Sequence, residues 1–229
     1  MIELKGVSKI FRADIVETYA LRDCTLYVGA GEFVAISGHS GSGKTTLLNV
    51  CGLLEEFDSG SFRLDGDDVQ VLGDNQRSHI RNQKIGFVFQ AFNLIPNLNV
   101  YDNIEAPLHY RRMPAPERRK RITESLERVG LTSRMRHFPA QLSGGQQQRV
   151  AIARAIGGDP RIILADEPTG NLDSTMSSQI MDLLGSINAS GTTILMVTHN
   201  DELAHRAHRI VHMVDGQIAT DHAARVAAH

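Results

Sequence analysis

The stretch Gly38-His39-Ser40-Gly41-Ser42-Gly43-Lys44-Thr45-Thr46 has the spacing G-x-x-x-x-G-K-[ST] of a phosphate-binding loop, and its context decides the fold. Before it, Glu32 to Ser37 is an apolar, β-prone run; after it, Thr45 to Leu54 places Leu47, Leu48, Cys51 and Leu54 at helical spacing. A strand enters the loop and a helix leaves it. Backbone N–H groups at a helix N-terminus carry partial positive charge and point at an anion, and the glycines let the chain curl round phosphate oxygens with no Cβ in the way. Lys44 is placed to reach the β- and γ-phosphates of a nucleotide, and the Thr45 hydroxyl to ligate Mg²⁺.

With 229 residues, 41% hydrophobic and 22% charged, the chain can bury the core of one large domain or of two modest lobes. A net charge of -2 offers no overall footprint for a polyanion, which argues against nucleic acid as a partner. Cys24 and Cys51 lack metal-ligand spacing and read as small core residues of a protein in a reducing compartment. Met1 to Lys5 shows no basic region followed by an apolar one, and no window approaches the ~20 apolar residues of a membrane-spanning helix. A cytosolic chain that does not span a bilayer is expected.

Outward from the loop, residues 2 to 7 and 24 to 37 alternate in strand fashion around a turn at Gly29-Ala30-Gly31, which predicts an antiparallel start. Phe11 is followed by Arg12, Asp14 and Glu17, a polar stretch that suggests a loop bringing the ring to the surface; a core aromatic is the plainer alternative. Phe62 to Leu64 reads as a short strand and Asp65-Gly66 as a hairpin turn. Ile85 to Phe89 is a buried strand that stops at Gln90. Residues 91 to 140 change character: Pro96, Pro107, Pro114 and Pro116 are assigned to loops, and a helix from Glu117 carries Ile122, Leu126 and Val129 on one face, so a separate helical lobe is expected. The run Arg118-Arg119-Lys120-Arg121, with Arg111 and Arg112 nearby, reads as a solvated helix face, with anionic lipid or a partner's loop as the alternative. Beyond Gly145-Gln146 comes a long helix through Ile156, then strands over 161–165, 193–198 and 210–214 separated by helices around Ile180–Ile187 and Leu203–Arg206, with Asp215-Gly216 turning the chain into Gln217-Ile218-Ala219. Strands alternating with helices mean a mostly parallel sheet covered on both faces.

Chemistry-bearing residues gather at the strand ends. Ser37, Gln90, Asp166 and His199 each lie at or just past one, where open α/β sheets bind ligands. Asp166 closes an aliphatic strand as a Mg²⁺ site beside phosphates requires, and Glu167, one residue on, is the natural general base for a water aligned with the γ-phosphate. A second Gly-rich turn, Leu142-Ser143-Gly144-Gly145-Gln146, opens another helix and so makes a second anion-binding terminus. One nucleotide does not need both; the second suits a nucleotide held by another copy of the chain.

Taken together these stretches resemble the ATP-binding-cassette family over essentially the whole chain. Gly38 to Thr46 is similar to its Walker A loop, Gln90 to its Q-loop, Leu142 to Gln146 to its signature, Ile162 to Asp166 to Walker B with Glu167 as catalytic glutamate, Asn171-Leu172-Asp173 to the D-loop, and His199 to the switch histidine. The resemblance implies an α/β P-loop NTPase with a mostly parallel core, an antiparallel β-subdomain and an inserted helical subdomain: one nucleotide-binding domain over 1–229, with core 1–90 and 141–229 and helical part 91–140. It implies ATP and Mg²⁺ as cofactors and catalytic roles for Lys44, Gln90, Glu167 and His199. The nucleotide would be held by Phe11 on adenine, by Gly38, His39, Ser40, Gly41, Ser42, Gly43, Lys44, Thr45 and Thr46, and, from a second copy in a head-to-tail dimer, by Ser143, Gly144, Gly145, Gln146 and Asp173. Thr45, Gln90 and Asp166 would hold the metal.

Finer features, Phe87 to Pro96, the triple Gln146-Gln147-Gln148 and Leu164 to Asp173, look like the ATPases of the macrolide-exporter and lipoprotein-release group (MacB and LolD). That group implies an integral membrane permease with an extracytoplasmic domain as partner, reached through a groove near Gln90 and residues 91 to 110, and a peripheral place on the cytoplasmic face of the inner membrane. A soluble cassette ATPase acting on a non-transport macromolecular partner is the competing class. His39 stands where the family commonly has Pro, and Thr45 where Ser is usual; the hydroxyl is kept. The shortness of the chain after Gly216 argues against subgroups with an added regulatory domain. A zinc site at His205, His208 and His212 is disfavoured, because Ile210 to Val214 reads as a strand and breaks their common helix face.

Overall fold

A computed structural model of the protein describes residues 1–13 and 16–224. The chain opens with a long antiparallel pair, β1 (Ile2–Ala13) and β2 (Val16–Val28), and then passes to β3 (Phe33–Ser37), the phosphate loop and α1 (Lys44–Cys51). Two short strands, β4 (Ser59–Leu64) and β5 (Asp67–Asp68), complete an antiparallel sheet of order β2-β1-β4-β5. There follow α2 (Asp74–Lys84), β6 (Ile85–Phe89), α3 (Val100–His109), α4 (Ala115–Arg128) and α5 (Gly144–Ile156). The C-terminal third runs β7 (Ile162–Asp166), α6 (Ser174–Ala189), β8 (Thr193–Val197), α7 (Asp201–Ala204), β9 (Arg209–Val214) and β10 (Gln217–Ala223). The second sheet has the order β10-β9-β3-β8-β7-β6 and is parallel except for β10.

The parallel strands are aliphatic on both faces because both faces are covered. Phe33, Ala35, Ile163, Ala165, Ile194 and Met196 pack with the apolar sides of α3, α4, α5 and α6. Their neighbours Val34, Ile36, Ile162, Leu164, Leu195 and Val197 face the other way, onto Leu47 and Leu48 of α1 and onto Ile2, Leu4 and Phe62 of the antiparallel sheet. Helix α1 is therefore sandwiched between the two sheets, and α5 lies on the opposite side of the parallel one. Cys24 and Cys51 are fully buried and free.

Several expectations need correction. Residues 24 to 37 do not form one antiparallel unit: β2 ends in the small sheet, whereas β3 crosses to the centre of the parallel one. Phe11 lies in β1, paired with Thr18, and not in a loop; pairing with β2 satisfies the backbone, so Arg12 and Glu17 can stand in solvent on the paired strands, while Asp14 lies outside the described residues. Helix α1 stops at Cys51, and Leu54 is exposed beyond it. Helix α2 was not expected at all, since among Asp74 to Lys84 Ile80 is the one aliphatic side chain, packed against the core from one side, and no residue is fully buried. Pro107 is inside α3, within its last turn, and Pro116 is in the first turn of α4, where a missing N–H costs nothing.

A candidate nucleotide site at the strand ends

The phosphate loop is shaped by its own backbone and by close neighbours. Gly43 has φ 95°, and a Cβ there would lie 2.3 Å from the Ala20 carbonyl oxygen; at Gly38, φ 144°, it would lie 2.3 Å from that of Met213. Neither position tolerates a side chain. Lys44 is buried, and its ammonium donates to the carbonyls of Gly38 at 2.8 Å and His39 at 2.7 Å. Burial lowers its pKa, opposed by the attraction of Glu167 and then Asp166. The loop thus concentrates one ammonium and the free N-terminus of α1 at the end of the central strand, an arrangement built to receive an anion. Within the loop, His39 turns its Nδ1 to the Ser40 carbonyl at 2.8 Å and its Nε2 toward Asp215 at 3.6 Å, so one ring nitrogen is held by the loop's own backbone and the other faces the β9–β10 turn.

Adjacent strands bring the acids to the same place. The Thr45 hydroxyl donates to Asp166 Oδ1 at 3.4 Å. Burial raises the Asp166 pKa, and the neighbouring Glu167 charge adds to it, against the hydroxyl and Lys44. Glu167 sits in a left-handed backbone conformation, φ 46°, with its N–H donating to Val197 of β8, and this turns its carboxylate away from Asp166 toward the next strand end. There His199 Nδ1 lies 2.8 Å from Glu167 Oε2. The structure therefore joins Lys44, Thr45, Asp166, Glu167 and His199 in one cluster.

Gln90 is at the end of β6 as expected, but its amide is turned elsewhere: Nε2 donates to Asn171 Oδ1 at 3.4 Å, and Asn171 returns a bond to the Gln90 carbonyl at 2.9 Å. It packs on Gly170 and, among the described residues, makes no hydrogen bond to Thr45 or Asp166. Phe11 is 43% exposed with the Lys9 ammonium 5.1 Å from its ring centre. Its pairing partner Thr18 is two residues from Ala20, whose carbonyl abuts Gly43, so the hairpin carries the ring past the loop.

Ser143 caps α5: its Oγ accepts from the Gln146 N–H at 3.3 Å while Gln146 Oε1 accepts from the Ser143 N–H at 3.1 Å. Gly144 and Gly145 form the first turn, with Gly145 against Met176. Asp173 caps α6 through Met176 N–H at 2.8 Å. None of these reaches the loop of its own chain. Gln148, in the same helix as the signature turn, was read only as part of the triple glutamine and given no role of its own; it is fully buried and donates to the Pro168 carbonyl at 2.6 Å, next to Glu167. A polar residue repeated at a buried helical phase was the available signal. The three histidines are engaged separately: His208 Nδ1 accepts from Phe33 N–H at 3.3 Å, His212 Nδ1 shares a hydrogen bond with Ser37 at 3.0 Å, and His205 caps α7.

Comparison with known proteins identifies the family. The sequence model of the ABC transporter family matches residues 21–170. A macrolide export ATP-binding/permease protein, MacB 1/2 of Paracoccus denitrificans, is 46% identical over 221 residues, 96% of this chain and 33% of that protein. The ABC transporter ATP-binding protein YknY of Bacillus subtilis is 47% identical over 218 residues, 95% of each chain. The chain thus spans about a third of the length of MacB and nearly all of YknY. In three dimensions it is similar to the ATP-binding cassette MJ0796 in a dimeric post-hydrolysis state bound to ADP and Pi, with a TM-score of 0.90 and 44% identity, covering 99% of this chain and 100% of that one. The chain belongs to the ABC transporter family, as one of its ATP-binding and ATP-hydrolysing cassettes.

Proposed function

We propose that the protein powers export or envelope-directed mechanical work through a separate membrane permease with an extracytoplasmic domain, and that it does so as a head-to-tail dimer of itself on the cytoplasmic face of the inner membrane. Its residues would act as one nucleotide-binding domain, with 1–90 and 141–229 as core and 91–140 as helical part. The observation that carries the dimer is the position of the two anion-binding termini. Helix α1 and helix α5 pack on opposite faces of the parallel sheet, and α5 rests on the edge strand β6, three strands from β3, a lateral step of roughly 14 Å. Ser143 and Gly145 therefore cannot close over the phosphates held by Lys44 of the same chain. A second copy supplies them. The dimeric form of MJ0796 supports the same reading.

In this reading Lys44 and the loop N–H groups hold the β- and γ-phosphates, Phe11 stacks on adenine, and Ser143 to Gln146 with Asp173 complete the partner's site. Thr45 and Asp166 fit Mg²⁺: they are two hard oxygen donors 3.4 Å apart beside the loop, one a carboxylate whose charge is disfavoured by burial. Bound there, the ion would neutralise charge on the phosphate oxygens. Glu167 accepts the proton of the attacking water as general base, and His199 fixes the direction of its carboxylate. Gln90, tied to Asn171, would link the site to the helical part and lend its amide oxygen to the metal. ATPase rate per subunit should rise with protein concentration until the dimer saturates; a rate independent of concentration across that range refutes the composite site.

A further inference from the structure

The glutamines at 146, 147 and 148 divide their work. Gln146 Oε1 accepts from the Ser143 N–H at 3.1 Å and Gln147 Nε2 donates to the Leu142 carbonyl at 3.1 Å, so these two amides hold the turn that opens their own helix. Gln148 reaches out of α5 instead. Its Nε2 donates at 2.6 Å to the carbonyl of Pro168, in the turn that follows β7.

That placement costs stability. The side chain is fully buried, and its Oε1 has no partner among the described residues. A carbonyl only accepts, so the amide must turn its NH₂ to Pro168 and leave the oxygen unpaired. An apolar side chain of similar volume would spare the desolvation of that oxygen. What the amide supplies and a methionine would not is the bond to Pro168.

The bond holds the backbone next to Glu167. Glu167 has φ 46°, a left-handed conformation that a non-glycine residue adopts at a cost and keeps where its surroundings fix it. The proline that follows restricts it further, because the ring crowds the residue before it. Three hydrogen bonds fix this turn. Glu167 N–H donates to the Val197 carbonyl at 3.0 Å, Gly170 N–H donates to the Glu167 carbonyl at 3.0 Å, and Gln148 donates to the Pro168 carbonyl. The first two are made by backbone alone, so of the three only the last depends on a side chain. Pro168 has no N–H by which its own backbone could be held from the other side.

We propose that Gln148 is a positioning residue for the hydrolysis step: by holding the Pro168 carbonyl it keeps Glu167 in its left-handed backbone, with its carboxylate beside His199 and ready for the proton of the attacking water. This rests on the reading of Glu167 as general base. Helix α5 then serves both sites of the dimer. Its first turn meets the partner's phosphates, and its second turn sets the base of its own chain.

The test is a double-mutant cycle in the full chain between Gln148→Met and Glu167→Gln, read by single-turnover hydrolysis, ATP titration and size-exclusion chromatography with ATP. Alone, Gln148→Met should lower kcat about tenfold and leave ATP affinity within about twofold of the parent. With Glu167→Gln already present, it should change the residual rate by less than about twofold, because a base that is gone cannot be misplaced. The ATP-bound dimer of Glu167→Gln should persist in the double variant. Gln148→Leu makes the same test should the methionine not pack. A further fall of about tenfold in the double variant, or parental kcat in Gln148→Met, would overturn the positioning role. Loss of the ATP-bound dimer in the double variant would assign Gln148 to the signature turn and overturn it too. Parental turnover in Glu167→Gln alone would overturn the base itself, and with it this role of Gln148, an outcome distinct from an additive cycle.

Discussion

His199 Nδ1 lies 2.8 Å from Glu167 Oε2, and the His199 backbone N–H points at the same oxygen from 3.4 Å. Two neighbouring strands thus end in the proposed general base and in the imidazole that would aim it. Glu167→Gln should bind ATP with affinity within about threefold of the parent, lose at least ~100-fold in turnover and accumulate as a dimer with ATP. His199→Ala should lose ~10- to 100-fold while its ATP affinity is kept. Steady-state rates, nucleotide titration and size-exclusion chromatography with ATP check both; parental turnover in Glu167→Gln removes it as the base.

A composite site makes two inactive variants complementary. Lys44→Ala disables its own phosphate loop and Ser143→Arg disables the terminus offered to the partner, so each alone should be inactive. In the mixed dimer one site combines an intact loop with an intact signature turn. Mixing the two should restore roughly a quarter of the parental rate or less, as random pairing and one good site allow. No recovery at any ratio would count against shared sites.

Asp166 carries a pKa raised by burial and by Glu167. For such a group the folded state binds its proton more tightly than the unfolded one. Its contribution to stability is full below the ordinary Asp range and is lost as pH rises through the raised value. Without nucleotide or Mg²⁺, Asp166→Asn should therefore raise Tm at pH 7.5 by about 1–2 °C, with the difference vanishing near pH 4. With ATP and Mg²⁺ the order should reverse. Differential scanning fluorimetry across pH reads this directly.

Gln148 is fully buried and gives its amide to the Pro168 carbonyl at 2.6 Å, while its Oε1 has no partner among the described residues. Gln148→Glu would set a carboxylate against that carbonyl with no counter-charge. An uncompensated buried charge costs about 3–5 kcal/mol, so Tm should fall by ~6–20 °C at pH 7.5 and recover partly as the pH is lowered. Gln148→Met, which removes donor and orphan acceptor together, should cost much less.

How much of this was legible beforehand depended on local pattern. The strand–loop–helix around Lys44, the buried strands ending at Gln90, Asp166 and near His199, and the capped turn at Ser143 are visible because period and punctuation are written in consecutive residues. Helix α2 was not, since Asp74 to Lys84 has no apolar stripe, and α3 was hidden by Pro107. The boundary of α1 failed for a similar reason: Leu54 keeps helical phase with Leu47 and Leu48 but lies exposed beyond the end of the helix. The Arg111 and Arg112 pair looked like part of the α4 basic run, because charge patterning cannot tell which guanidinium finds a carboxylate: Arg118 pairs with Glu105 and Arg121 with Glu117, whereas Arg111 donates to Asn82.

By itself the sequence determined the chemistry: a loop with the spacing for phosphates, an Asp-Glu pair closing an aliphatic strand, and a second anion-binding turn. These are short-range properties of residue type and spacing. Only the tertiary structure decided which of them meet. Packing α1 and α5 on opposite faces of one sheet separates Ser143 from Lys44, which is the ground for the proposal that each site is shared between two chains, and the left-handed turn at Glu167 places its carboxylate beside His199. Both outcomes depend on contacts between residues far apart in the chain, which local pattern does not encode.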